Sequence, residues 1–200
     1  MSATALANLA ASITVSKLGA ATVSAPELQV ALTGKINFST GIVNEEQLLE
    51  AVKQARAQNK KIVFTNGCYD IIHAGHVTSL QMAKQLGDYL IVAVNTDESV
   101  SQLKGPNRPI NNLEHRMTVL AGFNVVDWVI PFADETPERL LHLIKPDLLV
   151  KGGDYNINQV VGADIVRHYG GEVRVVNHDI TTSSTSIINR LQEVTGKLDA

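Results

Sequence analysis

Two histidines three residues apart, His73 and His76, follow the run Thr65-Asn66-Gly67-Cys68-Tyr69-Asp70, with Gly75 just before the second histidine. If that run closes an apolar strand and the histidines open a helix, two imidazoles stand beside a row of free backbone N–H groups. That chemistry suits a polyphosphate: the helix terminus attracts the anion and the imidazoles donate hydrogen bonds to its oxygens. Gly67 and Gly75 let the backbone approach closely. A histidine pair standing alone reads equally well as a surface turn or half a metal site. Zinc is disfavoured, because the nearest further ligands, Cys68 and Asp70, lie at an unfamiliar spacing. Asn66 is placed to fix the turn, and Asp70 to orient a histidine or a metal-bound water. Cys68 has no partner base nearby in sequence, which argues against a thiolate nucleophile.

Other groups of the right type recur along the chain. Lys104, flanked by Gly105 and Pro106, is expected in a loop that can close over phosphates, with a solvated loop lysine as the plainer reading. Arg108 stands between Asn107 and Pro109. Lys151 follows the apolar run Leu148 to Val150, which puts its ammonium at the end of a buried strand. Asp154, three residues on, can hold a magnesium ion or a sugar hydroxyl. The hydroxyls from Thr182 to Ser186 open the last helix, where serine and threonine serve first as caps. Their number exceeds what capping needs.

These groups need a scaffold, and the periodicity supplies one. Leu6, Leu9, Ala10, Ile13 and Lys17 fall at helical spacing over residues 3 to 17, with Gly19 as a stop signal. Residues 20 to 44 read as a connector. Asn44 caps an amphipathic helix with Glu45 and Glu46 in its first turn and Leu48, Leu49, Val52 and Ala55 on its buried stripe. Short apolar runs then alternate with helical patterns. Strands are expected at 61–65, 89–95, 126–131, 147–151 and 173–177, and helices near 77–86, 112–122, 137–144, 160–169 and 184–193. Five strands each followed by a helix imply an α/β fold, a Rossmann-like doubly wound parallel sheet behind an N-terminal helical segment. Ligands of such sheets bind at the carboxyl ends of the strands.

Composition narrows the function classes. With 17 Lys+Arg against 20 Asp+Glu the formal charge is −3, so there is no global basic field for nucleic acid. The single cysteine excludes an intramolecular disulfide framework and an all-cysteine zinc cage. No run approaches the ~18 apolar residues of a membrane span, and the apolar start lacks the basic flank of a secretory signal. A cytoplasmic protein without membrane insertion is expected. Charge is unevenly spread: the first 44 residues carry only Lys17, Glu27 and Lys35, and the remaining 156 carry the other 34 charged side chains. That asymmetry predicts two parts, residues 1–43 and 44–200.

The stretch from Thr65 to His76 resembles the signature of the cytidylyltransferase-like nucleotidyltransferases, whose hallmark is a His-x-Gly-His motif after the first strand. Further motifs follow in order: Leu103 to Pro109, Glu114-His115-Arg116, Thr136-Pro137, Pro146 to Tyr155, and Ser183 to Ile188. Together they resemble the adenylyltransferase domain of bifunctional heptose 7-phosphate kinase/heptose 1-phosphate adenylyltransferases. Residues 1–32 look like the tail of the ribokinase-like kinase domain. No Gly-Ala-Gly-Asp anion hole is present, so kinase activity is not expected of this chain. Asn177-His178-Asp179 stand where some relatives have an arginine, which argues against the glycerol 3-phosphate branch. Tyr69 replaces the more common Phe.

The resemblance implies AMP transfer from ATP, with Mg2+, to D-glycero-β-D-manno-heptose 1-phosphate, giving ADP-heptose and pyrophosphate for lipopolysaccharide core synthesis. It implies catalytic roles for His73, His76, Lys104 and Lys151. It assigns nucleotide binding to Asn66, Gly67, Cys68, Tyr69, Gly75, Arg116, Ser183, Ser184 and Thr185, with Arg116 facing the triphosphate. Asp70, Arg108, Gly152 and Asp154 are assigned to the second substrate, with Asp70 or Asp154 as magnesium ligands. A homo-oligomer is expected. The competing readings are a cytidylyltransferase for an alcohol phosphate such as glycerol 3-phosphate, and a nucleotide-binding module without turnover.

Overall fold

The computed structural model describes residues 3–15, 22–23, 41–153, 156–177, 180 and 182–195. The chain divides into two compact units, Met1–Ser39 and Thr40–Ala200. In the first, helix α1 spans Ala3–Val15 with no acidic residue in its first turn and no basic residue in its last. Two of its hydroxyls bond within the helix, Ser12 Oγ to Leu9 O and Thr14 Oγ1 to Ala10 O, both at 2.8 Å. Lys17 and Gly19, which the periodicity assigns to this helix and its end, lie outside the described residues.

The second unit contains a six-stranded sheet in which every neighbouring pair is parallel, in the order β1-β4-β3-β2-β5-β6. The strands are β1 (Gly41–Ile42), β2 (Ile62–Gly67), β3 (Tyr89–Asn95), β4 (Trp128–Phe132), β5 (Leu148–Gly152) and β6 (Glu172–Val176). The helices between them are α2 (Glu45–Ala57), α3 (Ala74–Lys84), α4 (Asp97–Lys104), α5 (Leu113–Ala121), α6 (Glu138–Ile144), α7 (Ala163–His168) and α8 (Ser184–Thr195). The central strands β2, β3 and β5 read as continuous apolar runs because both faces are covered: Ile62, Val63, Phe64, Leu90, Ile91, Val92 and Leu149 are each at 0% exposure. On one face Leu80 and Ala83 of α3 and Met117 and Leu120 of α5 pack on Val63, Leu90, Val92 and Val129. Each such large side chain contributes about 1.5–3 kcal/mol relative to exposure.

Local signals position α2 as the sequence reads it. Asn44 accepts from Gln47 N at 2.9 Å while the Gln47 side chain accepts from Asn44 N at 2.9 Å, a reciprocal capping box. Two elements depart from the periodicity. The sheet has a sixth strand, because Gly41 and Ile42, expected in the connector, pair with Trp128 and Val129. Two residues are too few to alternate visibly, and the pairing exists only because β4 offers an edge. The second departure is α4, where a loop was expected: Lys104 is its last residue, not a loop residue. Thr96 caps it and Asp97 and Glu98 fill its first turn, but Val100 is its one buried apolar residue, which leaves no helical stripe to detect.

Chain order reverses beside β2, since β3 and β4 lie on one side and β5 and β6 on the other. The loops that leave β2 and β5 diverge there, and the carboxyl edge opens between them. Gly162, which begins α7, fits this packing only without a side chain. Its φ is +85°, and a Cβ would lie 2.2 Å from Leu141 Cδ1. Gly162→Ala is therefore expected to lower stability by about 2 kcal/mol, read as a lower midpoint in urea with an unchanged slope.

Candidate active site

The site is built outward from the end of β2. Past Gly67 the chain turns through Tyr69, which sits at φ +50°, the left-handed region. A non-glycine residue there needs support, and Tyr69 has it: its ring is 8% exposed and its hydroxyl is hydrogen-bonded with Thr65. Burial pushes the phenol up to about 12. Gly67 makes room for the ring, since a Cβ on it would lie 3.1 Å from Tyr69 Cε2. The other edge of the ring meets His76, with centroids 5.2 Å apart and planes tilted by 53°. His76 in turn stacks on His73 at 3.8 Å. His73 occupies the cap position of α3, and His76 N donates to His73 O at 2.9 Å to close the first turn. The helix thus sets the stacking of the two imidazoles, and Tyr69 sets the side from which His76 is approached.

Lys151 comes from the next strand across. It lies near the end of β5, and its Nζ donates to Asn66 O at 2.9 Å and to Asn66 Oδ1 at 3.1 Å. Desolvation lowers its pKa from 10.5 to about 8. An ammonium in that state gains much from an incoming anion. Gly152 follows, and a Cβ there would lie 2.3 Å from Ser79 Oγ, so glycine allows the end of β5 to press against α3.

The opposite wall is a network centred on two arginines. Asp70, 2% exposed, accepts from Arg108 Nε at 2.5 Å, from Ile110 N at 2.7 Å and from Asn111 N at 3.0 Å. Burial raises its pKa, but the hydrogen bonds from Asn111, Arg108 and Ile110 outweigh it and hold the carboxyl below the usual range. Asp70 therefore secures the loop after α4, with both carboxylate oxygens already engaged by protein donors. Among the described residues there is no group of three His, Cys, Asp or Glu arranged for a metal. Asp154, the other proposed magnesium ligand and second-substrate residue, lies outside the described residues.

Arg116 departs from the role the resemblance implies. It is 1% exposed and does not line the cleft. Its Nε donates to Asn111 O at 2.9 Å, its Nη1 to Cys68 O at 2.5 Å and its Nη2 to Asp97 Oδ1 at 2.7 Å. With three protein acceptors in place, the guanidinium holds the loop after β2 from behind.

Between these walls lies a cleft of about 420 Å³. Of the expected site residues it brings together Asn66, Gly67, Cys68, Tyr69, Asp70 and His76 from the β2 loop and its helix. Lys104 and Arg108 join from one flank, and Lys151, Gly152 and Ser184 from the other. It does not bring in His73, which stacks on His76, nor Gly75, Ser183 or Thr185. Ser183 is taken up by the helix: its Oγ accepts from Ser186 N at 3.0 Å, and its own N–H donates to Ser186 Oγ at 3.0 Å. Ser184 Oγ donates to Ile71 O at 3.0 Å, tying α8 to the histidine loop. The Cys68 thiol is pushed up by burial, against the pull of Lys104, Arg116 and Lys151, so it has no thiolate character to offer.

Sequence reasoning missed Asn95, Ser79, Glu135 and Gln159, all of which line the cleft. Asn95 and Glu135 lie at or just beyond the carboxyl ends of β3 and β4, so the strand-end rule could have singled them out. Ser79 and Gln159 carry no such mark.

Two outcomes test this geometry. Arg116→Ala leaves Asp97 and two carbonyls without their partner and is expected to cost about 3–5 kcal/mol of stability, measured by urea unfolding. For Lys151 the folded-state pKa of about 8 lies below the ordinary 10.5, so between these values the unfolded state holds a proton that the native state has shed. Stability contributed at this site therefore rises with pH across that window. The stability advantage of Lys151→Met over the parent chain should be largest below pH 8 and vanish towards pH 10.5.

Comparison with known proteins places this geometry. The chain is 60% identical over 190 residues to the bifunctional protein HldE of Azotobacter vinelandii, and equally to that of Pseudomonas syringae. Each alignment covers 95% of this chain and 40% of the relative, so the chain spans about 40% of the length of the curated relatives it matches. A crystal structure of the lipopolysaccharide core biosynthesis protein from Thermoplasma volcanium matches with a TM-score of 0.50 at 26% identity, covering 62% of this chain and 99% of that one. Pantoate-beta-alanine ligase from Francisella tularensis, complexed with beta-gamma ATP and beta-alanine, shares the fold alone: TM-score 0.53, 17% identity, 78% of each chain. The model of the cytidylyltransferase-like family matches residues 64–190, from inside β2 to inside α8, and so spans the whole cleft. With more than half of its length in that match, the chain belongs to the cytidylyltransferase-like family.

Proposed function

We propose that the chain is a heptose 1-phosphate adenylyltransferase, which transfers AMP from ATP to D-glycero-β-D-manno-heptose 1-phosphate. One observation carries the reading: His76, Lys104, Arg108 and Lys151 converge on one cleft at the carboxyl edge of a parallel sheet, in a chain 60% identical to bifunctional HldE proteins. A phosphate oxygen of the sugar phosphate attacks the α-phosphorus of ATP. The bond from that phosphorus to the bridging oxygen breaks, and pyrophosphate leaves with the electron pair. The attacking phosphate is already an anion, so no general base is needed. The protein aligns the partners and neutralises the charge that builds on the bridging and non-bridging oxygens.

His76 is assigned to the α-phosphate, held by its stack on His73 and by the Tyr69 ring. Lys151 is assigned to the phosphates from the β5 side, and Lys104 and Arg108 to those on the β3 side. A magnesium ion bound with ATP would supply charge neutralisation; among the described residues no group of three His, Cys, Asp or Glu is arranged to hold it. The Met1–Ser39 unit is taken as the tail of the kinase part of the longer relatives, a reading supported by an alignment long enough to run into it. The reading includes a cytoplasmic location, where ATP is available, and a homo-oligomer. Among the described residues no helix is long and apolar enough to cross a membrane.

Pyrophosphate release with ATP and heptose 1-phosphate, and not with CTP and glycerol 3-phosphate, is the expected result. Tight ATP binding with no release across a panel of sugar 1-phosphates would sink the reading. Within it, His76→Ala is expected to lower kcat by at least about 100-fold with little change in the KM for ATP; near-normal kcat would remove His76 from the chemistry.

A further inference from the structure

We infer that Glu135 is a specificity residue that reads the hydroxyl groups of a polyhydroxylated phosphate, a role that rests on the transfer reading above and names the part of the acceptor it recognises. Two carboxylates line the cleft among the described residues, Asp70 and Glu135. Asp70 is engaged by three N–H donors. Nearby acids are engaged likewise, Asp97 by Arg116 and Asp134 by Arg139. Glu135 enters none of the ion pairs among the described residues, although Arg139 lies only four positions along the chain and pairs instead with Glu45 and Asp134. Its carboxylate remains exposed at the cleft, beside Thr136.

A carboxylate in that position needs a reason. The cations of the cleft serve phosphates, and a negative charge among them weakens every phosphate ligand by repulsion. It is useful only to a ligand that brings hydrogen-bond donors together with its phosphate. A carboxylate has two oxygens and accepts strong charge-assisted bonds, so neighbouring hydroxyls on one carbon chain match it. A carboxylate also discriminates: a hydroxyl lost from the ligand leaves a charged acceptor without its donor, whereas an apolar wall would barely register the change.

Its placement says which ligand. Glu135 follows β4, and Lys104 and Arg108, which also line the cleft, precede β4 on the chain from β3; this flank is charged. The far flank is lined by Val150, Gln159, Val160, Val161 and Ser184 together with one charged side chain, Lys151, whose ammonium is turned to Asn66 O and Oδ1 at the end of β2. An apolar slot with scattered hydrogen-bonding groups suits a purine, and a flank with two cations and one carboxylate suits a phosphate attached to a polyol. Glu135 therefore faces the acceptor, not the nucleoside.

The test uses the full chain and the Glu135→Gln variant, which keeps size and an acceptor oxygen but removes the charge. Calorimetry measures binding of D-glycero-β-D-manno-heptose 1-phosphate and, separately, of ATP with magnesium; pyrophosphate release is followed on the same samples. The expected result is a Kd for the sugar phosphate raised by about tenfold or more, an unchanged Kd for ATP, and no difference between the two chains for ethyl phosphate, which has no hydroxyls. Equal affinity of both chains for the sugar phosphate overturns the inference. So does a loss confined to ATP, which would assign Glu135 to the ribose or to magnesium, and so does a parent chain that binds no sugar phosphate. The two readings fail separately: pyrophosphate release that is indifferent to Glu135 sinks the specificity role alone, and Glu135-dependent binding without release sinks the transfer reaction alone.

Discussion

The arrangement of the cleft depends on a charge that never touches water. Arg116 sits behind the β2 loop with its side chain fully buried, joining the carbonyls of Cys68 and Asn111 to the carboxylate of Asp97. A buried guanidinium is tolerated only when its donors are matched, so the three segments that carry those acceptors must meet in one geometry. The β2 loop, the start of α4 and the start of α5 are thereby fixed together. Asp70 repeats the device in mirror form, an acid holding Arg108 and two backbone amides. Between them, the two residues anchor the loop after α4, which brings Arg108 to the cleft.

This bracing leaves the side chains of the cleft with few choices. Tyr69 is held at positive φ with its ring buried, and its edge supports His76; His73 caps the helix that follows and supports the same ring from its face. Lys151 is drawn towards Asn66 and is partly stripped of its hydration. A site of this kind is organised before any ligand arrives. Donors held in place beforehand need not reorganise as charge develops, and for that reason they favour a transition state more than a flexible surface cation would.

The two flanks of the cleft differ in kind. On one, β5 and the segment before α7 bring Val150, Gln159, Val160 and Val161 together with Lys151. On the other, the segments after β3 and β4 bring Lys104, Arg108 and Glu135. The division follows the sheet order, in which β3 and β4 lie on one side of β2 and β5 and β6 on the other. Topology thus separates two kinds of lining.

The alternation of apolar runs and amphipathic stretches was enough to specify a parallel α/β sheet, because a strand covered on both faces must be apolar throughout. The His73–His76 spacing and the cap at Asn44 were legible for the same reason: they are local, and a few adjacent residues carry the whole signal. Strand β1 and helix α4 were not legible, one being two residues long and the other having a single buried apolar residue. The capping by Ser183, by contrast, was legible, since its partner Ser186 is three residues along. The roles of Arg116 and Asp70 were decided by tertiary structure alone. In sequence each is an ordinary charged residue inside a motif, and only its partners show that it braces the loops. Whether a charged group faces a ligand or holds the backbone depends on which acceptors lie within 3 Å of it, and for Arg116 those acceptors come from residues up to 48 positions away.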